Sequence, residues 1–233
     1  MTDTTQLEAP DWYGSTARAT AFFPLIMAVY MVFYAAWAPF AWPLAGSVTI
    51  VVVGAAAALC ARRGIHQIRH AKRYRSIATA ENDRLGRTMG ILNSVTHPIW
   101  MLGGIVLAVL GEGRWFLPLM VFVIGVHFLP MAQILNRTID YLLGPLAIGF
   151  AIAAAVLASE PTVPWIDVYA VAGLGGALTT FGYALYMIWN YRRTADAAGV
   201  TIPRGRPLGH KRLSAPTRQP QLTTGDVQTR VLL

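Results

Sequence analysis

Charge is what this sequence is short of. Of 233 residues only 13% are charged, against 55% apolar. Average soluble domains carry about 25% charged residues, so the deficit argues against an ordinary soluble domain. Cysteine is nearly absent: Cys60 stands alone, which excludes an internal disulfide and leaves a small packing residue as its plain role. The chain has no Ser nucleophile elbow, no P-loop and no H-E-x-x-H run, the motifs that would announce hydrolytic, nucleotide or zinc-protease chemistry. No internal repeat is visible.

What is present is a set of long apolar blocks. A helix needs about 20 apolar residues to cross a bilayer core. Six blocks qualify, near Thr20–Phe40, Trp42–Ala61, Thr88–Leu110, Trp115–Leu135, Asp140–Ser159 and Ile166–Asn190. The first two are separated only by a turn containing Pro39 and Pro43, which reads as a helical hairpin. The apolar core of the first block exceeds the usual signal-peptide length, so it is expected to be a retained span. The fold class predicted is all-α: a polytopic membrane bundle of six transmembrane helices. Residues 1–19 are then a cytoplasmic N-terminal tail, 20–190 the membrane domain with a basic cytoplasmic connection at 62–87, and 191–233 a disordered basic cytoplasmic tail.

The orientation comes from the lysines and arginines. Eight stand in the 62–87 connection, eight from Arg192 onward, and Arg18 and Arg137 join them on the same side of a six-span topology. The opposite side has Arg114 alone, beside Glu112, Glu160 and Asp167. Basic residues mark the cytoplasmic side, so both termini are expected there. Trp37, Trp42, Trp115 and Trp165 fall at the outer interface and Trp189 and Tyr191 at the inner one, where amphipathic rings prefer to lie. The expected partners are the lipid bilayer and anionic headgroups, the latter at the basic connection and tail; a homo-oligomer remains open. The tail string "PRGRP" (203–207) resembles a minor-groove hook, but a solvated basic tail accounts for it, and no nucleic-acid partner is expected. His66 and His70 stand four apart with no third ligand near, as on a basic helix extension lying on headgroups.

Polar residues inside the apolar blocks carry the functional signal, since they usually face the bundle interior or a wet cavity. Asn93 and His97 are one helical turn apart on the third span. His97 lies about 9 residues from the inner end and His127, on the fourth span, about 8, which puts both roughly 12–13 Å deep at about 1.5 Å per residue. The short turn between their spans makes them neighbours. Pro130 frees the carbonyl of Val126 beside His127, and something must re-satisfy it: a histidine N–H, a water or another helix. Thr179, Tyr183, Tyr186 and Asn190 form a polar stripe on one face of the sixth span. Tyr30 and Tyr34 lie near mid-depth on the first. Asp140, close to Arg137, opens the fifth span and suits a helix start.

The block "GVHFLPMAQILNRTIDYLLGPL", residues 125–146, resembles one that recurs in an uncharacterised group of small bacterial multi-span membrane proteins: G-x-H-F-[LF]-P-x-A, a polar turn and another span. Gly125, His127, Phe128, Pro130 and Ala132 stand at its positions. The resemblance implies a purposeful His127–Pro130 pair in a bacterial cytoplasmic membrane protein, and no particular reaction.

Four functions stay open. The leading one is transport or binding of a small ligand in an inward-facing polar pocket lined by His97, His127, Asn93, Tyr183 and Tyr186, with Tyr30 at its floor. The second is an intramembrane enzyme on a lipid or isoprenoid-like substrate, with His97 or His127 as acid/base; one interfacial carboxylate is few for such chemistry. The third is a haem or metal protein with His97 and His127 as paired ligands, although no cofactor is the expectation. The fourth is an accessory subunit with no site.

Overall fold

The computed structural model describes residues 8–203, and these are helical almost throughout. The elements are α1 (Asp11–Ala21), α2 (Phe23–Ala35), α3 (Ala38–Ala41), α4 (Pro43–Ala71), α5 (Ala80–Val109), a 3₁₀ turn at Gly113–Trp115, α6 (Phe116–Ile134), α7 (Asp140–Ser159) and α8 (Trp165–Ala197). Six helical stretches are long and apolar enough to cross a membrane: Asp11–Ala41, Pro43–Ala71, Asn82–Val109, Gly113–Ile134, Asp140–Ser159 and Trp165–Ala197. The hairpin between the first two is real. It turns at Trp42, whose φ of −130° leaves the helical region immediately before Pro43 opens α4.

Local chemistry ends the helices where the chain must reverse. After α5, Gly111 takes φ +76° and the Glu112 amide reaches back to the Leu107 carbonyl (2.8 Å). After α6, Asn136 takes φ +50° and the Arg137 amide bonds the Ala132 carbonyl (2.9 Å). After α8, Gly199 takes φ +67° and Val200 bonds Ala195 (2.8 Å). All three are six-to-one closures around a left-handed residue, the geometry glycine and asparagine accept at least cost.

The packing order is α4–α2–α8–α7–α6–α5, an arc whose most extensive contacts join α2 to α8 and α6 to α7. Small residues set these approaches. Gly173 and Gly176 of α8 lie against the backbone and ring of Tyr34 in α2, and Gly125 of α6 faces Gly144 of α7. The helix α5 packs along α6 and makes no extended contact with α2 or α4. Its outward face, with Ile91, Val95, Leu102 and Val109, is exposed, as a lipid-facing surface must be.

At the end of the bundle that carries the basic connection, the structure differs from the sequence expectation. Residues 11–19 are helical and packed, although they were expected in a tail. Trp12, Tyr13, Ala17 and Ala21 are buried with Tyr74, Tyr191 and Ala195 in one cluster. Gly14 abuts the backbone of Arg75, and the Arg18 guanidinium donates to the Tyr74 carbonyl (2.7 Å). Hydropathy misses this segment because its buried residues recur at helical spacing among polar ones. In the same way α8 runs seven residues past the expected span end at Asn190, to Ala197, with Tyr191, Thr194 and Ala195 buried. Tyr191 is therefore a core residue and not part of an interfacial belt. Its hydroxyl donates to the Gln67 carbonyl (3.2 Å) and accepts from His70 Nδ1 (2.8 Å). That bond makes the His66–His70 pair divergent: His70 turns inward to α8, and His66 stays half-buried. Trp189 does remain exposed, with the Arg193 guanidinium 4.8 Å from its ring. At the opposite end Trp37, Trp165 and Tyr169 stack edge to face. Of the expected disordered tail, 191–197 are thus helix, and 204–233, with most of the "PRGRP" string, lie outside the described residues.

Candidate functional site

A cavity of about 820 Å³ occupies the inside of the arc. Its walls come from α1, α2, α5, α6, α7 and α8. Most of the lining is apolar, with Phe23, Met27, Trp100, Phe116, Met120 and Ile124 prominent. Such a volume suits a drug-sized or lipid-like guest, and an apolar wall with a few polar groups is the usual make-up of a ligand site.

Five of the six residues singled out from the sequence meet here: His97, His127, Asn93, Tyr183 and Tyr30. Tyr186 does not line the space, although it follows Tyr183 by three residues and so shares its helix face. It stands instead beside Arg137, whose guanidinium carbon is 5.8 Å from its ring, and against Trp189.

The two histidines are held by different partners. The His97 Nδ1 bonds the carbonyl oxygen of Asn93 in its own helix (2.9 Å). The His127 Nδ1 bonds Thr96 Oγ1 across the α5–α6 contact (2.8 Å). The His127 ring is thus tied to the neighbouring helix and not to the Val126 carbonyl that Pro130 frees. Thr96 is buried and also donates its hydroxyl proton to the Leu92 carbonyl (2.9 Å). Sequence reasoning passed over Thr96 because threonine is ordinary in a membrane helix. The signal was the triplet Asn93, Thr96, His97 at i, i+3, i+4, which places all three on one face. Gly125 has a packing role: a Cβ there would stand 3.0 Å from the Gly144 carbonyl oxygen.

The end of the cavity near Arg137 holds a second polar group. Arg137 is buried and donates from Nη1 to the Tyr183 hydroxyl (2.6 Å). Asp140 follows one turn on, fully buried, with neither carboxylate oxygen hydrogen-bonded. Arg137, one turn back, is an opposite charge in the same region, but no hydrogen bond joins its guanidinium to the carboxylate. Thr179, also buried, lines the wall with its hydroxyl unpartnered. Among the described residues, no group of three or more His, Cys, Asp or Glu side chains gathers as metal ligands.

No family model, no curated protein and no solved structure matches this chain.

Two features govern access. At the basic end, Asn82 Nδ2 at the start of α5 donates to Ser15 Oγ of α1 (2.8 Å), and both residues line the cavity. Along the side, Tyr30 and Phe33 of α2 and Asn93 and His97 of α5 line the cavity yet are exposed. Since α2 and α5 do not pack together, the cavity opens laterally between them.

Proposed function

We propose that this chain is a multi-pass protein of the bacterial cytoplasmic membrane, with both ends in the cytoplasm, that binds or transports a small ligand in the cavity enclosed by the arc. One observation carries the reading: polar residues chosen from four separate spans line a single cavity of about 820 Å³. A bundle that served only as scaffold would fill that space, because membrane helices associate through close packing. The orientation rests on the basic residues gathered at one end. Cytoplasmic access then runs past the Ser15–Asn82 bond, which spans the inner end of the cavity.

The test uses Gly86. It lines the cavity, and a Cβ there would meet nothing within 4 Å, so Gly86→Trp adds bulk at the cavity wall with its first side-chain atom unhindered. Native mass spectrometry of the wild-type protein released from lipid nanodiscs should show a retained small molecule. The Gly86→Trp protein, equally folded by circular dichroism, should retain at least about tenfold less, the loss expected when about 1.4 kcal/mol of binding is removed. Equal retention by both proteins, or retention by neither, would refute a ligand site in this cavity.

A further inference from the structure

The ring nitrogens of the two histidines restrict what the cavity accepts. A carbonyl oxygen can only accept, so the bond from His97 to Asn93 places a hydrogen on His97 Nδ1. Thr96 has a single hydroxyl proton and gives it to Leu92, so its oxygen accepts from His127 Nδ1. Both neutral rings are thereby the Nδ1–H tautomer. Each keeps a bare lone pair on Nε2, and the rings line one cavity. Lone pairs in an apolar wall call for hydrogen-bond donors and repel anions. A charged guest of either sign would lose its hydration in a mostly apolar lining, and Arg137, with Asp140 one turn on, already holds Tyr183. A neutral donor meets both conditions. The lateral opening between α2 and α5 faces the lipid and is flanked by Phe33 and Tyr30, which suits entry of an apolar body from the bilayer.

We propose that the cavity takes a neutral apolar molecule ending in a hydroxyl, a long-chain or isoprenoid alcohol or phenol, which enters between α2 and α5 and donates its O–H to Nε2 of His97 or His127. The Asn93 side-chain amide, on the same wall, can donate to the hydroxyl oxygen in return. This inference rests on the cavity being a ligand site and adds the chemical class of the ligand.

Three photoreactive probes of one chain length test it: a diazirine-bearing hexadecanol, its methyl ether and the matching carboxylate. Each is added to the full chain in nanodiscs, with and without excess unlabelled hexadecanol, and the labelled peptides are mapped by mass spectrometry. The alcohol should label α5 and α6 lining peptides at least about fivefold more than the ether, the value of one neutral hydrogen bond. In a His97→Phe/His127→Phe double variant the alcohol should fall to the level of the ether, while the ether still labels the same peptides and so reports an intact cavity. Nitrogen-15 spectra of the histidine-labelled protein should show an unprotonated Nε2 on both rings. Equal labelling by alcohol and ether would overturn the hydroxyl class and leave cavity binding standing. Preference for the carboxylate, or protonated Nε2 in the neutral rings, would overturn it as well. Absence of any competable labelling would overturn the ligand site itself and this inference with it.

Discussion

Gly125 offers a sharp test of how α6 is set against α7. An alanine Cβ at this position would stand 2.8 Å from Ile148 Cγ1 and 3.0 Å from both the Gly144 carbonyl oxygen and the Ile148 amide nitrogen. The Ile148 side chain can rotate away. The two backbone atoms cannot, so the helices themselves must separate. Overpacking of this kind costs about 1–3 kcal/mol. Gly149, five residues beyond Gly144 on α7, has nothing within 4 Å of its Cβ direction. Alanine there adds no contact and gains up to about 1 kcal/mol of helix propensity. The propensity gain is common to both helices, so Gly125→Ala should be less stable than Gly149→Ala by the overpacking alone, about 1–3 kcal/mol. The measurement is SDS-driven unfolding in mixed micelles, followed by far-ultraviolet circular dichroism, for Gly125→Ala, Gly149→Ala and the parent. If Gly125→Ala proves as stable as Gly149→Ala, the close α6–α7 approach is wrong. Gly144→Ala, whose Cβ would meet the Gly125 carbonyl at 2.9 Å, should behave like Gly125→Ala.

Other outcomes follow from features already described. Tyr191→Phe deletes the hydroxyl shared by His70 and Gln67 in a buried cluster and should cost about 1–3 kcal/mol, whereas Tyr141→Phe, on an exposed ring, should be neutral in the same unfolding assay. With Cys60 replaced by Ala, a cysteine at Thr162 should react with an impermeant thiol reagent from outside intact cells and one at Thr217 should not; the reverse pattern would invert the proposed orientation. Purified protein should be colourless, and a stoichiometric Soret band lost in His127→Ala would establish paired histidine ligation of haem in place of the ligand chemistry proposed here.

Much of this architecture could be read in advance, and the misses share a cause. Bilayer crossing depends on the chain's own hydropathy, so six spans and the Pro39–Pro43 hairpin follow from composition and length alone. The near-equal depth of His97 and His127 follows from a constant rise per residue, and both do line one cavity. What could not be read depends on which helix lies beside which. Tyr186 shares a stripe with Tyr183 in a linear projection, but only contact with Arg137 decides that it lies outside the cavity wall. Tyr191 has the composition of a belt residue and is drawn inward by His70 and Gln67. Residues 11–19 are polar enough to pass for a tail, yet Trp12, Tyr13 and Ala17 complete a core shared with the end of α4, the α4–α5 link and α8. Thr96 matters only because His127 comes to face it.

The contact between α2 and α8 also fixes an order of assembly. The first span emerges from the ribosome early, but Tyr34 must wait for Gly173 and Gly176 before its carbonyl side is covered. Roughly 140 residues separate these partners, a delay on the order of ten seconds at about 5–20 residues per second. During that interval α2 has only α4 beside it, and the packed surface it will show to α8 faces lipid or the insertion machinery. Closure is thus a late event in biogenesis, when α8 slides in beside α2 and the α1 helix finds Tyr191. A nascent chain arrested before α8 should leave α1 and the α2 face open to protease and to crosslinking by insertion factors, and release of α8 should abolish both at once.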